Sequence, residues 1–147
     1  MIIKEIENKI HTQIPMTKFM KLELKDLNET QLITTAPLDI NVNDKGTAFG
    51  GSLNSITIIS SWCMAYYLSK KLNIENTSIV IFKNETKFIR PVTKDIVCTT
   101  FIPNEEEQNS LKSKINTKNS ASIKIHSQII ENDKVCVDFY GVYIIKT

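Results

Sequence analysis

From Gly46 to Ser69 the chain carries no charged residue. A run that long is enough to consider a membrane span. But Ser52, Asn54, Ser55, Thr57, Ser60 and Ser61 interrupt it. That many polar groups in one segment argue for a helix buried in protein rather than in lipid. Leu53, Ile56, Ile59, Trp62, Cys63 and Tyr66 recur at helical spacing, yet Ile58, Met64 and Tyr67 lie off that stripe. The pattern predicts a helix from about Gly50 to Leu72, ~33 Å long at the usual rise. A helix apolar on nearly every side has to be wrapped, not merely docked.

The rest of the chain supplies the wrapping. Ile3, Ile6, Ile10 and Ile14 predict a short amphipathic helix that Pro15 stops. Phe19 to Leu27 alternates loosely, Asn28 and Glu29 turn, and Leu32 to Ala36 reads as a second strand. Pro37 to Gly46 is a loop dense in Asn, Asp and Gly. Strand-like runs follow at Ser78 to Arg90, Asp95 to Ile102, Ala121 to Ile130 and Val135 to Ile145. Asn132 and Asp133 supply a hairpin turn. Asn104 to Asn119 reads as a polar linker, its EEEQ run a solvated loop or a short surface helix. The expectation is an α+β domain over 1–147, with an antiparallel sheet of five to six strands round one central helix.

Composition narrows the function. The net charge is +2 and the basic residues are scattered, so no nucleic-acid surface is expected. Cys63, Cys98 and Cys136 fit neither a disulfide framework nor zinc spacing and read as buried, reduced thiols. His11 and His126 look isolated, and no metal is expected. Lys4, Glu5, Glu7 and Lys9 break the apolar positions near the start, which argues against export and for a cytoplasmic protein.

Gly50 and Gly51 sit at the start of the long helix. Its first amides have no helical partner and carry the positive end of the macrodipole. Glycine there lets a ligand approach the backbone closely. The result suits a carbonyl oxygen that gains negative charge during attack. The alternative is that both glycines only let the helix enter tightly against the sheet.

The segment NVNDKGTAFGGSL, with PLDI ahead of it and Trp62 eleven residues after Gly51, resembles the motif of hot-dog fold thioesterases. The closer resemblance is to the YiiD C-terminal-type thioesterase family. KFIRPV (Lys87 to Val92) and DFYGVYIIK (Asp138 to Lys146) resemble its third and closing strands. The resemblance implies hydrolysis of an acyl thioester on coenzyme A or acyl carrier protein, without a further cofactor. It implies a homodimer or a dimer of dimers, with sites at the subunit interface. It implies that Gly50, with Gly51, donates amides to the carbonyl, and that Asn43 holds the carbonyl or the attacking water. Phe49 and Ser52, flanking the glycines, join the substrate-contacting set, and Trp62 is a candidate for the acyl pocket. Lys87 and Arg90 are candidates for the carrier's phosphates.

The sequence departs from the family's pattern at one informative place. Many such thioesterases carry an acid in the helix nine residues after the His/Phe position; here that residue is Ile58. Glu85, in the third strand, which the resemblance places along the partner's site, and Asp44 are the candidates to replace it, beside water held by Asn43 alone. The rival reading is a non-catalytic acyl-coenzyme A or acyl-carrier binding module that kept the carbonyl site and lost the base.

Overall fold

The computed structural model describes residues 1–147. The chain begins with α1 (Ile2–Gln13), which buries Ile6 and Ile10, and α2 (Pro15–Phe19). Strands β1 (Glu23–Leu27) and β2 (Gln31–Ala36) precede α3 (Gly50–Lys71), the long helix. Then come β3 (Ser78–Phe88), β4 (Ile96–Phe101), α4 (Glu105–Lys118), β5 (Ser120–Glu131) and β6 (Lys134–Lys146). The strands form one antiparallel sheet in the order β1-β2-β4-β5-β6-β3.

The sheet wraps α3 as the uncharged helix requires. Leu53, Ile56, Cys63, Met64, Ala65 and Leu68 of α3 join a single apolar cluster with Ile123, Ile125, Ile129, Val137, Tyr143 and Ile145 of β5 and β6. The helix's hydroxyls are satisfied inside that layer. Ser60 meets Thr34 at 2.6 Å; Ser61 meets Ser127 at 2.6 Å, and Ser127 in turn meets Thr100 at 2.7 Å. Tyr143 donates to the Ile58 carbonyl at 2.6 Å, and the Trp62 indole N–H donates to the Ile79 carbonyl at 3.0 Å. Thr57 instead bonds back to its own helix, at the Leu53 and Asn54 carbonyls. The three cysteines are buried and unpaired. Burial pushes the Cys63 and Cys98 thiols up. No helix is long and apolar enough to cross a membrane.

Two elements differ from expectation. Phe19 ends α2 instead of opening a strand, and it stays exposed. The polar stretch after Pro103 is the 14-residue helix α4. Its capping box explains it: Asn104 accepts from the Glu107 N–H while Glu107 reaches back to the Asn104 N–H. Only Gln108, Leu111 and Ile115 are buried, a stripe too thin to mark a helix by apolar periodicity. Asn119 ends it in the left-handed conformation, φ 58°. At the hairpin, Asn132 and Asp133 both have positive φ, as a two-residue turn of this type demands.

Candidate active site

The loop before α3 is built to deliver the helix start to one place. Val42 and Ala48 form an isolated bridge. The Ala48 N–H donates to Val92 and the Phe49 N–H donates to Asn41, at 2.8 and 2.7 Å. Asn41 is buried and its carboxamide ties the loop to the Met20 and Pro37 carbonyls. Asn43 holds the turn from inside: its Oδ1 accepts from the Lys45 and Thr47 N–H groups, and its Nδ2 donates to Thr47 Oγ1 at 2.8 Å. Gly46, at φ +80°, closes the turn in a conformation that favours glycine. Asn43 therefore spends its carboxamide on the loop within the protomer. Asp44 is exposed and pairs with Lys45.

The loop leaves Phe49 as an extended N-cap with no side-chain cap on the helix. The first intrahelical bond runs from the Leu53 N–H to the Phe49 carbonyl at 3.0 Å. The N–H groups of Gly50, Gly51 and Ser52 have neither a backbone acceptor nor a side-chain cap. Gly51 is exposed, while Gly50 and Ser52 are half-buried. The two glycines differ in what they permit. A Cβ on Gly51 would lie 2.5 Å from the Phe49 ring, so its absence lets that ring fold over the helix start. A Cβ on Gly50 would meet nothing nearer than Phe88, at 3.9 Å. A methyl there would rest against the Phe88 ring without a clash.

β3 forms the facing wall. Its register against β6 assigns each residue a face, because side chains alternate along a strand. Ile79, Thr86 and Phe88 pair with Ile145, Phe139 and Val137, which are buried beneath the sheet, so they face α3. Asn84 shares that parity. Glu85 and Lys87 pair with Tyr140 and Asp138 and face outward. The wall therefore reads Phe88, Thr86, Asn84 against Gly50, Asn54, Ile58. Two strand residues advance ~6.6 Å and four helix residues ~6 Å, so these rungs stay level. Phe88 beside Gly50 is one observed rung. Thr86 Oγ1, 3.0 Å from Asn54 Oδ1, is the next.

This geometry places the charged residues that the sequence singled out. Glu85 lies on the far side of the sheet from Gly50, one residue out of phase with the wall, so it is not a base for this cleft within the protomer. Lys87 shares that outer face. Arg90 is exposed just past the end of β3. Trp62 lies about three turns further along α3, where its indole meets the Ile79 carbonyl of β3 and its ring stacks on Tyr66 at 5.5 Å. Neither wall carries a carboxylate or a histidine.

His126 is not isolated, as it looked in the sequence. On the outer face its Nε2 lies 2.7 Å from Asp138 Oδ1, and its ring stacks on Tyr140 at 4.1 Å. Gln128 donates to the same carboxylate at 3.0 Å. Burial works to raise Asp138, but the His126 and Gln128 hydrogen bonds outweigh it and hold the carboxyl below its ordinary value. Cross-strand neighbours such as these are invisible without the register. Asn54 and Thr86, too, carried no motif; the helical spacing of Asn54 four residues after Gly50 was the available signal.

The sequence matches the family described as "Putative thioesterase (yiiD_Cterm)" over residues 3–147. The chain belongs to the YiiD C-terminal thioesterase family. A solved Chlorobaculum tepidum protein of unknown function is 33% identical to this family member, with a TM-score of 0.92 over 98% of this chain and 93% of that one. A Shewanella oneidensis structure titled a putative thioesterase is 24% identical, with a TM-score of 0.90 over 99% and 98% of the two chains. The Haemophilus influenzae thioesterase HI1161 shares the fold at 17% identity, with a TM-score of 0.63 over 89% and 82%. No curated protein matches the sequence. This YiiD C-terminal family chain thus has the hot-dog fold: a six-stranded antiparallel sheet curled round one long helix.

Proposed function

We propose that the protein hydrolyses an acyl thioester carried on coenzyme A or on acyl carrier protein. The observation that carries this reading is the set of unpaired N–H groups at Gly50, Gly51 and Ser52, at a helix start where Gly50 presents no side chain and Gly51 is exposed. Such donors stabilise the oxyanion that forms when water adds to the thioester carbon. The new C–O bond forms, the C–S bond breaks, and the thiolate leaves to take a proton. Metal ions and cofactors have no part in this reading.

The walls around the carbonyl position mix polar and apolar residues and carry no charge. Water in this cleft is therefore held rather than deprotonated by a strong base, and we expect a slow enzyme. Phe49 and Phe88 flank the helix start and are both more than half exposed, at 54% and 55%. We assign them to the thioester arm, and Arg90 to a carrier phosphate. The acyl chain then runs along α3 past Ile58 toward Trp62. Asn43 serves by fixing the loop that presents Gly50. β3 is an unpaired sheet edge carrying exposed Val80 and Phe82, and we assign it to pairing with a second copy, giving a homodimer.

The test is release of free thiol from short, medium and long acyl thioesters of both carriers. Turnover on at least one is expected. Absence of thiol release across the whole panel would refute hydrolysis. The lack of an acid on either wall favours a second reading, an acyl-thioester binding module. Measurable binding of intact acyl-coenzyme A without turnover would establish it.

A further inference from the structure

Asn54 lies four residues after Gly50, so it occupies the same side of α3 one turn further in. Helical side chains lean toward the N-terminus, which brings its carboxamide back over the turn of Gly50 and Gly51. The carboxamide is held from the facing wall. Thr86 Oγ1 lies 3.0 Å from Asn54 Oδ1 and 2.6 Å from the carboxamide of Asn84; the hydroxyl has one proton, and it serves Asn54 when the exposed Asn84 amide turns its nitrogen toward Thr86. Asn54 Nδ2, by contrast, meets no acceptor in the protein. The residue is half-buried, and no buried side-chain nitrogen or oxygen lacks a partner, so this nitrogen is open to solvent. An unpaired amide nitrogen therefore stands on α3 one turn beyond three unpaired peptide nitrogens, on the side that meets Thr86 of β3.

We propose that Asn54 is a catalytic residue, its Nδ2–H donating to the thioester carbonyl oxygen together with the helix-start amides. Thr86 is its positioning residue and fixes the side-chain amide by engaging Oδ1. A neutral donor fits a cleft without an acid: it binds the oxygen as charge develops and leaves the water untouched. The inference rests on the thioester reading above for its substrate.

Kinetics on a hydrolysed acyl-coenzyme A test it. Asn54→Ala should lower kcat roughly hundredfold, the typical loss of one oxyanion donor, with KM nearly unchanged. Asn54→Asp keeps the shape but removes the donor, and should be at least as slow. Thr86→Val should lower kcat by a smaller factor, and Thr86→Ser should restore it. Wild-type turnover in Asn54→Ala or in Asn54→Asp would overturn the assignment.

A turnover-free arm separates this failure from failure of the hydrolase reading. A ketone analogue of acyl-coenzyme A keeps the carbonyl, whereas an alkyl thioether lacks it. By calorimetry, Asn54→Ala should weaken ketone binding about tenfold and leave thioether binding unchanged, about 1.4 kcal/mol by the usual conversion. Equal losses for both analogues, or no loss for either, would overturn the donor role even in a protein that does hydrolyse thioesters. A protein that binds the ketone through Asn54 yet releases no thiol would keep this inference and lose only hydrolysis. Failure of the wild type to bind either analogue would overturn both.

Discussion

The two faces of β3 differ in what they offer chemistry. The face turned to α3 presents Asn84, Thr86 and Phe88 to a helix start with unpaired amides. The outer face presents Glu85 and Lys87 beside Asp138, His126 and Tyr140. Every carboxylate, lysine and histidine on these stretches of β3, β5 and β6 lies on the outer side. A single-residue step along the strand decides which set a substrate meets. The charged groups and the unpaired helix-start amides are thus separated by the thickness of the sheet.

The sharpest way to break this comparison is to fill the space over Gly50. Gly50→Val should reduce thiol release a hundredfold or more on the proposed reading, in which the helix-start amides receive the carbonyl. The nearest atom to a new Cβ would be Phe88, at 3.9 Å, so thermal stability should hold within a few degrees. A variant that melts early and is inactive for that reason alone would show that Gly50 serves packing.

The second test addresses the outer face. Asp138 is held below its ordinary value of 3.8 in the folded protein. The unfolded chain therefore takes up the proton first as pH falls. The stabilisation is complete above the ordinary value and is lost as pH drops through the folded one. Denaturation midpoints measured from about pH 5 to 2 should fall less steeply in Asp138→Asn, by up to ~1.4 kcal/mol per pH unit. Thioester turnover at neutral pH should not change. An identical acid limb in the variant would mean that the His126 and Gln128 contacts contribute nothing to folding.

The smallest effect is expected at the residues that strand parity turns away from α3 of their own protomer. Glu85→Gln and Lys87→Gln should each leave kcat within about twofold of wild type, because neither side chain reaches the cleft of its own protomer. A large loss in Glu85→Gln would instead show that the partner's strand brings this carboxylate to a neighbouring cleft.

Much of this was legible in the chain itself. The uncharged run from Gly46 to Ser69 required a wrapped helix, and α3 runs within one residue of its expected end. The open amides at Gly50 and Gly51 followed from the helix start alone. The faces of β3 did not: a bulge between Ile81 and Lys83 shifts its register against β6, and counting from the strand start would misplace every later residue. α4 was hidden for the opposite reason. Its signal lies in the Asn104 and Glu107 cap, while its three buried residues leave the apolar pattern nearly blank.

The hydroxyl and indole bonds around α3 have one more consequence. Grease on all sides gives a rod no preferred rotation about its long axis, since any side can be buried equally well. Ser60 to Thr34, Ser61 to Ser127, Tyr143 to the Ile58 carbonyl and Trp62 to the Ile79 carbonyl supply that preference. They act as keys in a keyway. Turning the rod by a single residue would strand all four at once, and would swing Gly50 and Asn54 away from the strand that faces them.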